Sequence, residues 1–318
     1  MRIFVVGSFI QACCWRLPRL PVAGETLTAS ALHIEAGGKG LNVAVGAKRL
    51  GAEVDLVLAI GRDMVGDRLV DVLQGEAIDS KHVHRLAENS GHGVGLLGEH
   101  GQNMIAIYPG ANQLLNSEHI QSAAKSLMQA DIVYAQLEVN IEAVSAAFVI
   151  AKQAGVSTML NPSPWQPLSA ELLDNTDILV VNEIEAVDLL SLTTPLAKVS
   201  LEASAAQLQP AIEKFWRSWS GSLLVVTLGH SGSIAFRPDN LPVQVAAFEV
   251  GALDSVGAGD AFASGLCAAI GSNQPLKQAL TFANACGAIV ASESGVLNAL
   301  PSAEAVATFL ESATVAEA

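Results

Sequence analysis

Short apolar runs without alternation recur along the chain: Ile3–Val6, Val54–Ile60, Ile132–Ala135, Val156–Leu160, Ile178–Val181 and Leu223–Thr227. A strand with one wet face alternates apolar and polar residues. These runs do not, so each predicts a strand covered on both faces. Between them lie segments of helical period, among them Asn42–Leu50, Val65–Gln74, Ile141–Ala154 and Glu183–Leu190. Strands alternating with helices predict right-handed βαβ units. The expected fold is therefore α/β, a mostly parallel central sheet with helices on both faces.

Two stretches break this rhythm. The segment Gln11–Glu35 is rich in Pro, Gly and Thr and carries no helical period. The segment Gly93–Tyr108 reads as two short strands around Glu99-His-Gly-Gln102, a hairpin signal. Within a single domain spanning 1–318, residues of about 11–35 and 93–109 thus predict a small β-sheet that could close over a pocket as a lid. A pair of ordinary surface hairpins is the alternative. No repeat or low-complexity segment interrupts the chain, and the tail Ser312–Ala318 is expected to fray.

Composition narrows the function. With 51% hydrophobic and 15% charged residues, the chain can bury a large core, which argues against disorder. Lys+Arg total 17 against 31 Asp+Glu, a net charge of −14 with the basic residues scattered. That balance repels nucleic acid and anionic lipid, so neither is an expected partner. No apolar run is long enough to span a membrane. The apolar start Ile3–Val6 is short and broken by Gly7-Ser8, and reads as a buried strand rather than a secretory leader. Cys13, Cys14, Cys267 and Cys286 form neither a C-x-x-C pair nor a zinc spacing, so a reduced, cytoplasmic protein is expected.

Two glycine-rich segments carry candidate chemistry. Asp254-Ser-Val-Gly-Ala-Gly-Asp260 precedes a helix-compatible run, Ala261–Ile270. A turn of small residues opening a helix lets backbone N–H groups and the helix dipole face an anion. Asp260 is then either a helix cap or a general base acting on an attacking hydroxyl. Glu35-Ala-Gly37-Gly38-Lys39-Gly40-Leu-Asn42 precedes the predicted helix Val43–Leu50. Its glycines allow close backbone approach to a ligand. Asn42 is either a bidentate partner for hydroxyls or an N-cap, and Lys39 either a mobile charge at a site or a solvated surface lysine. Neither a G-x-x-x-x-G-K-[ST] P-loop nor a G-x-G-x-x-G after the first strand is present, which argues against P-loop kinases and nicotinamide dehydrogenases.

Taken together, Gly37–Asn42 and Asp254–Asp260 resemble the two signature regions of the ribokinase-like (PfkB-type) carbohydrate kinases. Matching pieces fall in order between them: Pro21-Val-Ala-Gly24-Glu25-Thr26, Gly110-Ala111-Asn112, Gln136-Leu137-Glu138, Asn182-Glu-Ile-Glu185 and Thr227-Leu228-Gly229 with Gly232. The resemblance implies ATP-dependent phosphorylation of a sugar hydroxyl, with Mg²⁺ and possible activation by K⁺. It implies Asp260 as the base and the amides of Gly257, Ala258 and Gly259 as an anion hole. Gly38, Lys39, Asn42 and Glu138 would hold the sugar. Asn182, Thr227, Gly229, Gly232 and Asn284 would line the ATP site, and Glu185 would organise Mg²⁺ through water. Asp254 and the Val256 carbonyl would face a monovalent cation, with Ser292–Gly295 as the other half of that site. A homodimer through the lid strands is a further implication.

The chain departs from that pattern beside its first strand. The family's sugar-anchoring Asn and Asp fall on Ile10 and Ala12, with Gln11 between them as a partial substitute, and Cys13-Cys-Trp15-Arg16 is apolar for a sugar lid. Two alternatives therefore stand beside the sugar kinase. One is a nucleoside kinase, in which Phe9 and Trp15 face a base. The other is a non-catalytic ligand-binding relative.

Overall fold

A computed structural model describes residues 1–98, 102–191, 205–238, 240–251 and 253–316. Its strands are β1 (Arg2–Val6), β2 (Ile10–Leu17), β3 (Ala31–Gly37), β4 (Glu53–Gly61), β5 (Val83–Ala87), β6 (Gly91–Gly98), β7 (Asn103–Tyr108), β8 (Ile132–Gln136), β9 (Ser157–Asn161), β10 (Ile178–Asn182), β11 (Leu223–Thr227), β12 (Ser233–Phe236) and β13 (Val243–Val245). The helices are α1 (Lys39–Arg49), α2 (Met64–Gly75), α3 (Ser117–Ser122), α4 (Ala124–Leu127), α5 (Ile141–Ala154), α6 (Ala170–Asp174), α7 (Glu183–Ser191), α8 (Ala205–Trp216), α9 (Ala258–Gly271), α10 (Leu276–Ala291) and α11 (Ala303–Ala316).

The large sheet has the order β13-β12-β11-β10-β9-β8-β1-β4-β5. From β11 to β5 every pairing is parallel, while β12 and β13 add an antiparallel edge. Successive side chains of a strand leave on opposite faces, which explains the missing alternation. On β1, Ile3 and Val5 enter one core while Phe4 and Val6 enter the other; on β4, Leu56, Leu58 and Ile60 divide in the same way from Val57 and Ala59. The first core is closed by α1, α2, α9, α10 and α11, the second by α3 to α8. Each strand predicted from the six apolar runs is present, with ends moved by a residue at most. The edge elements β5, β12 and β13 were not anticipated. α11 runs to Ala316 and takes in most of the tail expected to fray.

Consecutive strands diverge on either side of β1, with β4 on one flank and β8 on the other. That reversal leaves a crevice at the carboxyl ends of β1 and β8, where open α/β sheets place their ligands.

The two irregular stretches build a second sheet of order β3-β2-β6-β7, in which β2 and β6 are parallel and the outer pairings antiparallel. The hairpin turn expected at Glu99–Gln102 lies largely outside the described residues. The root of this sheet is clamped by buried Asn112, the last residue of the Gly110-Ala111-Asn112 motif. It accepts from Phe9 N at 2.9 Å and donates to the carbonyls of Phe9 and Pro109, both at 2.8 Å. β3 runs straight into Gly37-Gly38 and α1, so the small sheet and the Gly37–Asn42 motif share one backbone segment.

Candidate active site

The Gly37–Asn42 motif is pinned across the crevice. Ser8, just beyond β1, donates through Oγ to Glu138 Oε2 at 2.6 Å, and Lys39 N donates to the same oxygen at 2.8 Å. Gly40 N donates to Ser8 Oγ at 3.1 Å and Leu41 N to Ser8 O at 3.1 Å. Gly38 has φ +102°, and a Cβ there would stand 2.8 Å from Ser8 O, so the approach requires glycine. Helix α1 starts at Lys39, not beyond Asn42. Asn42 is therefore inside the helix and is not its cap. Its Nδ2 donates to Asp260 Oδ2 at 2.7 Å, and its buried Oδ1 has no protein partner.

Lys39 is not a solvated surface lysine. Its Nζ lies 3.8 Å from Asp260 Oδ1. Asp260 foremost raises the ammonium above its ordinary pKa of 10.5; burial opposes this, and Glu138 and Glu185 add to the rise. Burial pushes the Glu138 carboxyl above its ordinary 4.5, and Lys39 with the hydrogen bonds from Ser8 and the Lys39 amide pulls it part of the way back.

On the opposite side, α9 starts at Ala258, with Gly257 as its N-cap at φ +80°. A Cβ at Gly257 would lie 2.2 Å from a Val296 methyl. Asp260 is thus in the first turn and only 7% exposed. The Ala258 amide turns to Ser255 O at 3.3 Å. The amides of Gly257, Gly259 and Asp260 have no protein acceptor among the described residues. A Cβ on Gly259 would meet nothing within 4 Å, so this end of the helix opens on free space. The open amides at this turn are therefore those of Gly257, Gly259 and Asp260, while that of Ala258 is engaged.

Further along the same sheet edge, Asn182 ends β10 and pairs reciprocally with Glu185. Asn182 N donates to Glu185 Oε2 and Glu185 N to Asn182 Oδ1, both at 2.9 Å. This is a helix-start bracket in which Glu185 is buried, 6% exposed, and its Oε1 takes no hydrogen bond among the described residues. Thr227 ends β11 and donates through Oγ1 to Val181 O at 3.4 Å. Gly229 and Gly232, with φ +53° and +93°, shape the following loop. Buried Asn284 reaches that loop's neighbour from α10, donating to the carbonyls of Val245 at 3.2 Å and Ala246 at 3.1 Å. It fixes main chain and offers a ligand only its remaining oxygen. Asp254 Oδ1 accepts from Val256 N at 3.0 Å, and Leu253 N and Asp254 N donate to Ala291 O at 2.8 and 3.3 Å. Asp254, Val256 and the start of the Ser292–Gly295 loop are thereby neighbours.

Some expected partnerships are not formed. Phe9 is in the core, 2% exposed, while Trp15 is 45% exposed on the lid face opposite to Glu35, so the two rings do not make one base-binding wall. Gln11 alternates with Ala12 and points to the Trp15 face, so it does not stand in for a carboxylate at position 12. Sequence reasoning passed over Ser8. Its position just beyond the first parallel strand, at a switch point, was the available signal. Tyr134 and Gln136, buried on the same face of β8 beneath Glu138, were also missed, and Tyr134 Oη and Gln136 Nε2 have no protein partner.

A crevice at the carboxyl ends of a parallel sheet, with a buried Asp beside a glycine-rich helix start whose amides are open, has the donors and the carboxylate that phosphoryl transfer requires. The chain belongs to the pfkB family of carbohydrate kinases, whose model matches residues 2–303. It is an ATP-dependent kinase acting on a sugar hydroxyl. A ribokinase of Haemophilus influenzae is 31% identical over 310 residues, 97% of this chain and 98% of that protein. A deoxyribokinase of Salmonella typhi is 32% identical over 264 residues, 82% of this chain and 83% of that protein. The structure of Arabidopsis thaliana ribokinase complexed with ribose and ATP superposes with a TM-score of 0.87 at 28% identity, covering 98% of each chain. Among the described residues no helix is long and apolar enough to cross a membrane.

Proposed function

We propose that Asp260 is the general base that takes the proton of a pentose hydroxyl as that oxygen attacks the γ-phosphorus of ATP and ADP leaves. The observation carrying this reading is the Asn42–Asp260 pair. One amide end of Asn42 orients the carboxylate, and its other end is a buried acceptor without a partner, 218 residues away in sequence from Asp260. A sugar hydroxyl donating to Asn42 Oδ1 satisfies that atom and brings a neighbouring hydroxyl to Asp260. Lys39 and the free amides of Gly257 and Gly259 offset the charge that develops on the transferring group. Glu138 retains Oε1 for a second hydroxyl, while its Oε2 holds the Gly38–Gly40 backbone in place.

No group of three or more His, Cys, Asp or Glu side chains gathers as a metal cage among the described residues. That donor set fits Mg²⁺ carried on the ATP phosphates and steadied through water, with Glu185 Oε1 as the available carboxylate oxygen. Asp254, with Oδ2 unspent, and the Val256 carbonyl fit a weakly held monovalent cation. ATP would lie along Asn182, Thr227, Gly229, Gly232 and Asn284. The four cysteines, none in a disulfide, accord with a reducing cytoplasm.

At the lid end the sugar meets Ile10, which packs against Gly91 and Gly93, and Ala12. Neither side chain can accept a hydrogen bond. A hydroxyl desolvated there would lose about 1–3 kcal/mol, so a pentose lacking that hydroxyl is favoured over ribose. The test is an ADP-release panel of ribose, 2-deoxyribose and nucleosides. Turnover of a pentose with 2-deoxyribose ahead of ribose in kcat/KM is expected; turnover of nucleosides alone would overturn the reading.

A further inference from the structure

Glu35 lies at the end of β3, two residues before the Gly37-Gly38 turn, on the lid face opposite to Trp15. Its carboxylate is nearly enclosed, with 10% of the side chain exposed. Among the described residues it has no lysine or arginine partner. Instead it reaches across to the loop that follows α10. Val296 N donates to both carboxylate oxygens at 3.1 Å, and Leu297 N donates to Oε2 at 3.3 Å. His33, two residues earlier on the same face, has Nε2 3.7 Å from Glu35 Oε2. Gly295 sits beneath both side chains at φ +86°.

The loop so gripped leads to the chemistry. The methyls of Val296 fill the space that a Cβ on Gly257 would occupy, and Gly257 is the cap of α9 and a donor to the proposed anion site. On its far side the loop is tied to the body, since Arg49 Nη1 donates to the carbonyls of Leu297 at 2.8 Å and Leu300 at 2.9 Å. Val296 is thus held between Arg49 near the end of α1 and a carboxylate on β3, the strand that runs through Gly37-Gly38 into Lys39 and Asn42 at the start of that helix. The contact adds no group to the reacting atoms. It sets the spacing between the substrate-side backbone and the phosphate-side turn.

We infer that Glu35 is a positioning residue that couples the lid strand to the Gly257–Asp260 turn through Val296. This rests on the assignment of that turn as the phosphoryl-transfer centre. A displacement near 1 Å between reacting groups lowers turnover by about 10²-fold. Glu35→Ala releases the two amides, and a kcat loss of about 10- to 100-fold follows, with the KM values for sugar and ATP changing by no more than about 3-fold. Glu35→Gln keeps one acceptor oxygen within reach of both amides and restores most of kcat. Val296→Ala loosens the next link. Because both substitutions act along one line, the double variant is no slower than the slower single variant.

Hydrogen exchange supplies a readout independent of turnover. In Glu35→Ala, the peptides covering 253–260 and 294–298 exchange faster, while those of α5 do not. Wild-type kcat in Glu35→Ala with unchanged exchange at 253–260 would overturn the coupling. So would multiplicative losses in the double variant, or a loss confined to thermal stability. If the wild-type enzyme turned over no sugar, the functional assignment would fail instead, and the exchange result would still decide whether Glu35 holds the turn.

Discussion

Replacing Asp260 by Asn preserves the shape of the side chain and the hydrogen-bonding reach toward Asn42, but removes the carboxylate that accepts a proton. Loss of kcat by about 10²–10⁴-fold is expected, with ATP affinity within a few-fold of wild type. ADP release and nucleotide titration together check this, and wild-type turnover would show that the base lies elsewhere. Gly257→Ala tests the neighbouring turn. The added Cβ meets a Val296 methyl at 2.2 Å and holds φ at +80°, a region that costs a non-glycine residue about 1–3 kcal/mol. A lower unfolding midpoint in urea and a strong loss of kcat are expected together. Glu138 sets a pH limit. Ser8 and the Lys39 amide bind its charged form more strongly than its neutral form, and burial raises its pKa above 4.5, so the acid limb of kcat/KM is expected above the range of an exposed Glu. Ser8→Ala removes a donor that favours the charged form, so the limb moves to still higher pH; a shift downward would contradict the assignment. Lys39 behaves in the opposite sense. Its pKa is raised above 10.5, so its contribution to stability is complete below pH 10.5 and lost only as pH climbs through the higher folded value. The alkaline limb of activity below pH 10 therefore does not report Lys39.

At the scale of elements, the sequence was most legible where burial is symmetric. The six apolar runs had to be covered on both faces, and their residues divide by parity between the two cores. β5, with the sequence Val-His-Arg-Leu-Ala, lies at the sheet edge and is only partly buried, so no apolar run announced it. β12 and β13 are three or four residues long and pair antiparallel after a tight loop, too short for a period to register. The start of α1 was misread for a related reason. Glycines at 38, 40, 257 and 259 look like a loop in sequence, but in α1 and α9 they let the first turn press on a strand end or open on free space. α1 therefore starts before Asn42, the residue read as its possible cap, while Asp260 stands in the first turn of α9, and this is what turns the two toward each other. β8 offers a test of burial cost. The Tyr134 ring is fully enclosed, and its hydroxyl, pushed well above pKa 10 chiefly by burial, has no protein partner. Tyr134→Phe removes an uncompensated polar atom and raises stability by about 1 kcal/mol. A lower midpoint in denaturant would mean that the hydroxyl is satisfied.

For the whole molecule, the lid poses a question that one chain does not answer. Trp15, Leu32, Ile34, Val94, Met104 and Tyr108 stand on one face of the small sheet, and each is between 44% and 56% exposed. Strand alternation places all six on the side away from Glu35, so they neither line the site nor enter either core. A contiguous apolar face on a thin four-stranded sheet, in a chain of net charge −14, favours a covering surface that is itself apolar. A second copy of the same face meets that need by two-fold symmetry, since isologous contacts bury matching residues. The edge strands β3 and β7 would be shielded in the same step. Sedimentation velocity at micromolar concentration should therefore give twice the chain mass. Ile34→Glu, which places a charge within the face but away from the site, should shift the boundary to the monomer. A wild-type boundary at the single-chain mass would leave the face without this partner. If the dimer forms, the monomeric variant also shows whether closure of each lid depends on its neighbour: kcat would stay near wild type if the Glu35–Val296 link alone seats the lid strand, and would fall in step with Glu35→Ala if the partner's lid is needed to hold that link closed.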